Sequence, residues 1–205
     1  MSGPAGESMM SDGTMDYLEC MNRRIRYLIA QSRVPEDPPH AENTLMWLLK
    51  LDPDADETLR IAALGHDIER AVESRRLRKK DFTDFELFKA AHARNSADIL
   101  RDIMDECSVP EARASEIYRL VVNHETGGDT RSDLLKDADS ISFFHVNMPY
   151  YYDRCGREMT IRRGLWGYGR ISPDHRDLVK GFTYDSGDLN RLLRDIISAA
   201  SHRHG

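Results

Sequence analysis

Residues 60–72, RIAALGHDIERAV, run an apolar helical stretch of Ile61, Ala62, Ala63 and Leu64 straight into His66 and Asp67. Imidazole and carboxylate are two of the commonest metal-ligand types, and the chain carries further candidates at His40, His92, His124 and Asp139. In chain order the six residues lie 26, 1, 25, 32 and 15 positions apart. A single buried histidine is more simply a hydrogen-bonded core residue. Four imidazoles and two carboxylates buried together are another matter, because without a cation they leave costly unpaired polar groups, and a metal converts that cost into binding. The donor set is nitrogen and oxygen with no thiol, which suits Mn, Fe, Co, Ni or Zn without demanding zinc.

Such side chains need a scaffold that aims them at one point, and the apolar periodicity supplies helices for it. The first helix, with Leu18, Met21, Ile25, Leu28 and Ile29 at three- and four-residue steps, ends at the prolines of VPEDPPH. A second runs through HAENTLMWLLKL, so that His40 begins it. A third runs through ETLRIAALGHDIERAV behind the acidic cluster DPDADE, with His66 near its end. Asp81 or Thr83 can cap a long fourth helix whose stripe is Phe85, Phe88, His92, Ile99 and Ile103. Pro110 and Glu111 open a fifth, in which Ile117, Leu120, Val121 and His124 line up before TGG stops it. RSDLLKDADSISFF continues helically and puts Asp139 one turn beyond Leu135, on the apolar side. A closing helix carries Leu189, Leu192, Leu193, Ile196 and Ile197, and KGFTYDS before it reads as a loop or a brief strand. Residues 146–173 are rich in Gly, Pro, Tyr and Arg without long apolar periodicity, and read as loop or short helix. The class is all-α: one helical domain over residues 14–200, with loose polar ends at 1–13 and 201–205.

The chain of 205 residues is long enough to bury a core without staples. A formal charge of −6 argues against a general nucleic-acid binder, whose footprint is a net basic face. Cys20, Cys107 and Cys155 show no paired spacing and read as structural thiols in a reducing compartment. No apolar run approaches about 18 residues, and MSGPAGESMMSDG lacks the basic and hydrophobic regions of a signal peptide. The expectation is a cytoplasmic protein with no membrane association.

The order His, His-Asp, His, His, Asp resembles the HD-domain superfamily of metal-dependent phosphohydrolases. The resemblance is carried by His40 in PPHAENT, His66 and Asp67 in LGHDIER, His92 in AAHARNSADIL, His124 in VNHETGG and Asp139 in DADSIS, and it spans residues 36–145. It implies an HD-type helical bundle in which His40, His66, Asp67 and Asp139 hold one metal ion, with Asp137 behind Asp139 as a supporting residue. It also implies the dinuclear branch, where His92 and His124 hold a second ion and Asp67 bridges the pair. The implied cofactor is two divalent transition-metal ions. The implied activity is hydrolysis of a small phosphorylated metabolite, a nucleotide or dinucleotide, by hydroxide formed between the ions. Two other readings share the ligand set: a diiron oxygenase of the same type, and a metal-stabilised binding or regulatory module without turnover.

Arg70 stands where many relatives of that superfamily carry a Lys. It is assigned a catalytic, phosphate-gripping role beside Asp67, against the alternative of a salt bridge to a neighbouring acid. Glu69 could orient a ligand imidazole or lie on the surface. In residues 146–173, arginines including Arg162 and Arg163 interleave with Tyr150, Tyr151, Tyr152, Trp166 and Tyr168. That mixture reads as a lid over a nucleotide, with Arg162 and Arg163 on the substrate, or as a packing segment anchored by its rings. The basic connector SRRLRKK reads as solvated and receives no role.

Overall fold

The computed structural model describes residues 12–202, with side chains from Tyr17 onward. The expected loose ends at 1–13 and 201–205 fall mainly outside those residues. Among the described residues there is no strand, and the architecture is all-α. The helices are α1 (Asp12–Ile29), α2 (Asp37–Leu51), α3 (Glu57–Gly65), α4 (Phe85–Glu106), α5 (Glu111–Asn123), α6 (Thr130–Ser142), α7 (Met148–Arg170), α8 (Arg176–Lys180) and α9 (Gly187–Ser201). Among these, no helix is long and apolar enough to cross a membrane.

The helix starts follow local chemistry. Asp56 caps α3 by accepting from the Leu59 amide at 3.0 Å, and Asp129 caps α6 through the Arg131 and Ser132 amides at 3.0 and 3.2 Å. The cap of α4 is Asp84, which accepts from the Glu86 and Leu87 amides, and neither Asp81 nor Thr83. Asp81 is taken up in a short 3-10 turn at Lys79–Asp81, so the chain is still extended at Phe82.

Helix α3 is the centre of the core: Ile61, Ala62, Ala63, Leu64 and Gly65 are all buried. Its small residues let neighbours come close. A Cβ on Gly65 would sit 2.8 Å from Leu100 Cδ2, so α4 can press against the end of α3 only at a glycine. The helix ends there, short of the predicted run to Val72. His66 is its C-cap, Asp67 leaves helical geometry at φ −105° and ψ 16°, and a 3-10 turn follows at Ile68–Ala71. The ending turns the Asp67 carboxylate off the helix axis, and so explains a His-Asp pair at the end of a core helix.

Two further expectations are corrected. Residues 148–170 form α7, with a break at Gly156 (φ 75°, ψ 177°), where a loop or short helix was expected. Its apolar periodicity is weak because close approach and rings do the packing: a Cβ on Gly164 would lie 2.5 Å from Ile196 Cδ1 of α9. Just before it, Phe143–Asn147 form a single π-helical turn, a wide turn often found beside functional sites. The second correction concerns thiols. Cys20 on α1 and Cys107 at the end of α4 are joined in a disulfide across 87 positions, with Cα atoms 5.7 Å apart, while Cys155 is free. Helix packing brings them together, and no local spacing could announce it. The disulfide removes the cysteine-based ground for placing the chain in a reducing compartment.

Candidate metal centre

The six candidates come from five places in the bundle: the first turn of α2 (His40), the end of α3 (His66, Asp67), α4 (His92), the end of α5 (His124) and α6 (Asp139). They meet in two triads, His40–His66–Asp139 and Asp67–His92–His124; within each, one ligand atom per residue lies within 4.8 Å of the others. In the first triad Asp139 Oδ1 is 3.2 Å from His40 Nε2 and 3.5 Å from His66 Nε2. In the second, Asp67 Oδ1 is 2.7 Å from His92 Nε2 and 3.8 Å from His124 Nε2. Asp67 also reaches the first triad, with 3.8 Å contacts to both His40 Nε2 and His66 Nε2. Its carboxylate therefore lies between the two triads, where a bridging ligand would have to be.

Every imidazole is anchored at the nitrogen that faces away from the centre. Nδ1 of His40 is 2.8 Å from Ser142 Oγ, Nδ1 of His66 is 2.9 Å from the Ala63 carbonyl, Nδ1 of His92 is 2.6 Å from Glu69 Oε2, and Nδ1 of His124 is 2.6 Å from the Val121 carbonyl. With Nδ1–H donating, each Nε2 lone pair is turned inward, which is the tautomer a metal needs. Nε2 of His66 and of His124 are buried and make no hydrogen bond. Buried orphan acceptors beside two carboxylates fit divalent ions.

The protonation balance points the same way. Burial works against charge at His92, but Asp67 and Glu69 outweigh it and raise the imidazole to about 9. Burial likewise opposes charge at His66, and Asp67 and Asp139 overcome it to raise this group too, whereas at His124 burial prevails and lowers it. Burial would raise Asp67 and Asp139, but the surrounding imidazoles and arginines hold both well below the usual carboxylate range. Asp67 and Asp139 are thus held anionic within the centre, and they raise His92 and His66 but not His124.

Several supporting residues carry this geometry. Glu69 is buried and orients His92, taking the first of its two sequence-level alternatives. Arg170, at the end of α7, donates to Asp139 Oδ2 at 3.0 Å and to the His124 carbonyl at 2.9 Å, and lies 3.1 Å from Glu125 Oε2. Glu125 is buried beside His124, with Oε1 3.2 Å from its Nε2 and an ion pair to Lys89. Glu125 and Lys89 are missed by the sequence reading, which groups Arg170 with the lid-like arginines of residues 146–173 and not with the centre; the only signal for Glu125 is its place directly after His124 in VNHETGG. Asp137, expected behind Asp139, does not touch the centre. It is one residue short of a turn's repeat from Asp139's face, and it accepts from the Ser172 amide at 3.0 Å and meets His175 Nδ1 at 2.7 Å.

Two cavities that share four lining residues adjoin the centre. The inner one, about 110 Å³, is bounded by His40, Asp67, Asp139, Phe143 and Asn147 among others. The outer one, about 550 Å³, has His92, Phe85, Phe88 and the connector residues Arg76, Arg78 and Lys79 on its walls. Arg70, Lys89, Tyr151 and Arg163 line both and form the throat between them. Arg70 is salt-bridged to Asp37 at 2.8 Å and to Asp67 at 3.1 Å, so the alternative foreseen for it holds, although the side chain also faces both cavities. The two adjacent arginines of α7 separate. Arg163 is in the throat, its guanidinium 4.5 Å from the Phe143 ring centre and 4.4 Å from that of Trp166. Arg162 points to solvent, 69% exposed, and bridges Glu158 at 2.7 Å. One position on a helix turns the side chain by about 100°, which is enough to put neighbours on different faces.

Comparison with known proteins adds one relationship. No curated protein and no solved structure matches the chain. Residues 24–187, well over half of the sequence and inclusive of all six centre residues, match the family described as Domain of unknown function (DUF4202), and the chain belongs to that family.

Proposed function

We propose that this chain is a metal-dependent phosphohydrolase of the HD type, acting through a dinuclear centre on a small phosphorylated metabolite of the nucleotide kind. One observation supports it most: four imidazoles, each fixed at Nδ1, present Nε2 to a common point where Asp67 faces both triads. His40, His66 and Asp139 would hold one ion, His92 and His124 the other, and Asp67 would serve both. Divalent ions held there supply neutralisation of phosphoryl charge and activation of water at neutral pH.

The chain's own residues do the rest. The cationic throat of Arg70, Lys89 and Arg163 draws an anionic group toward the inner cavity. Arg70 holds the Asp67 carboxylate in place from the throat side, and Arg170 holds Asp139 from behind. Phe143 and Trp166 shield the Arg163 guanidinium from water, which strengthens its grip on phosphate. The test is a phosphate-release screen over nucleotides and other phosphoesters with protein loaded anaerobically with Mn or Fe, run beside Asp67→Ala. Release by the loaded protein without oxygen, and none by the variant, is the expected result. Turnover that needs iron and oxygen would move the assignment to the diiron oxygenase, and ligand-induced thermal stabilisation with no turnover of any compound would move it to a binding module.

A further inference from the structure

The connector at residues 72–80 has little regular structure, yet it is pinned to the bundle. The Leu77 amide donates to Glu69 Oε1, the Asn95 side-chain amide donates to the Arg75 carbonyl at 2.6 Å, and Arg75 pairs with Asp102 at 2.6 Å. The clamp at Leu77 uses the same carboxylate that orients His92 through its other oxygen. The basic stretch is solvated, with Arg78 and Lys79 exposed, and is also held as a wall of the outer cavity, one side chain away from His92.

The charge on that wall is unbalanced. Six cations line the outer cavity, namely Arg70, Arg76, Arg78, Lys79, Lys89 and Arg163, against the acids Glu69 and Glu73. Glu69 is occupied by His92 and Leu77. Arg70 and Lys89 are answered by Asp37, Asp67 and Glu125. Glu73 approaches Arg76 only at 3.9 Å, and among the described residues Arg78, Lys79 and Arg163 have no acid within 4 Å. Arg163 Nη1 is shut off from solvent without a hydrogen bond, and burial depresses the group's basicity. Room is kept for it: a Cβ on Gly167 would fall 3.2 Å from that same Nη1. Arg163 as a whole is half-buried, and its idle, shielded Nη1 costs stability while the rest of the guanidinium stays open to the cavity.

The cations fall into two groups. Arg70, Lys89 and Arg163 sit at the throat, next to the inner cavity, while Arg76, Arg78 and Lys79 sit only on the outer wall. The wall also carries the aromatic rings of Phe85 and Phe88, 6.3 Å apart and tilted by 33°, with Lys79 Nζ 4.7 Å over the Phe85 ring. A single phosphoryl group held at the throat leaves the outer cations unanswered, and a volume of about 550 Å³ is within the range of a whole small-molecule site.

We propose that the outer cavity is a subsite for a second anionic group, so that the preferred ligand carries two phosphates on either side of a planar aromatic-bearing body. The throat, with Arg163, takes the phosphate presented to the centre, Phe85 and Phe88 face the body, and Arg76 and Arg78 take the distal phosphate. The inference refines the substrate class of the proposed hydrolase and rests on that reading for which phosphate reacts, but the binding preference is measurable without turnover.

The experiment is equilibrium binding by calorimetry to metal-loaded protein, with a nucleoside 5′-monophosphate and the corresponding nucleoside 3′,5′-bisphosphate as probes. Wild type should bind the bisphosphate about tenfold more tightly or better, the size expected of charge-assisted hydrogen bonds to one further phosphate. In Arg76→Ala/Arg78→Ala that preference should collapse to about twofold or less, with affinity for the monophosphate nearly unchanged, since neither arginine borders the inner cavity. Circular dichroism and metal content of the double variant check that it is folded and loaded, and Arg78→Glu alone should weaken only the bisphosphate. Equal affinity of wild type for the two probes, no binding of either, or a preference that survives the double substitution would overturn the subsite. Preferential bisphosphate binding with no phosphate released from any compound would keep the subsite and remove the hydrolase. Hydrolysis of monophosphates with no bisphosphate preference would do the reverse.

Discussion

The two triads of the centre are held in different ways. His40 and His66 lean on neutral groups, the Ser142 hydroxyl and the Ala63 carbonyl, and Asp139 is fixed by Arg170 from behind. His92 leans on a carboxylate, Glu69, and His124 on the Val121 carbonyl with Glu125 alongside. A carboxylate behind an imidazole increases its basicity and its donor strength toward a metal. The first triad is therefore a fixture of the helix core, formed by α2, α3 and α6. The second is linked through Glu69 to the connector that walls the outer cavity. If the centre holds two ions as proposed, whatever disturbs that wall should reach the ion at His92 and His124 and leave the other in place.

The largest effect should come from Asp67→Ala, because this one carboxylate contacts imidazoles of both triads. Loss of both ions and of all metal-dependent turnover is expected, together with a lower Tm, since ions that bind only the native state stabilise it. Elemental analysis and thermal melts check it. An Asp67→Ala protein with full metal content would mean that the two triads do not share this residue.

A smaller and more selective effect is expected from Glu69→Gln. Removing the carboxylate behind His92 should weaken the second ion by roughly 10- to 100-fold, the usual consequence of losing a residue that orients a ligand imidazole. The first ion should keep its affinity, and competitive chelation followed by residual metal counting separates the two. Equal loosening of both ions would break the distinction drawn between the triads.

Smaller again is the contrast between the adjacent arginines of α7. Arg163→Ala should raise KM for a phosphorylated substrate about tenfold or more, as expected for a charged hydrogen bond lost in a water-poor throat. Arg162→Ala, which loses one exposed ion pair, should leave kcat and KM within about twofold. Neither should release metal. Equal KM changes in both variants would place the substrate outside the throat.

The centre was legible in the sequence where residue type and helix geometry jointly fix a position. His92 and His124 sit in apolar stripes at helical spacing, and Asp139 is one turn from Leu135, so an inward direction followed from periodicity. The supporting shell was less legible, since Glu125 and Arg170 look like ordinary charged residues at helix ends, and only the meeting of α5 with α7 makes them neighbours. The same reason hid the Cys20–Cys107 bond. Helix α7 was misread because glycine ordinarily signals a turn, while Gly164 and Gly167 serve close approach to Ile196 and Arg163. The connector is solvated as its composition implies, with Ser74, Arg78, Lys79 and Lys80 exposed, but composition cannot reveal the backbone hydrogen bond from Leu77 to a buried Glu69 that pins it to the bundle.

The central claim, that Asp67 serves two ions, is tested most directly by metal stoichiometry. Protein purified anaerobically, saturated with Mn or Fe and freed of loosely bound metal should hold two ions per chain, with His92→Ala reduced to one. One ion per saturated chain, unchanged by His92→Ala, would contradict it and leave Asp67, His92 and His124 as a buried hydrogen-bonded cluster beside a single site.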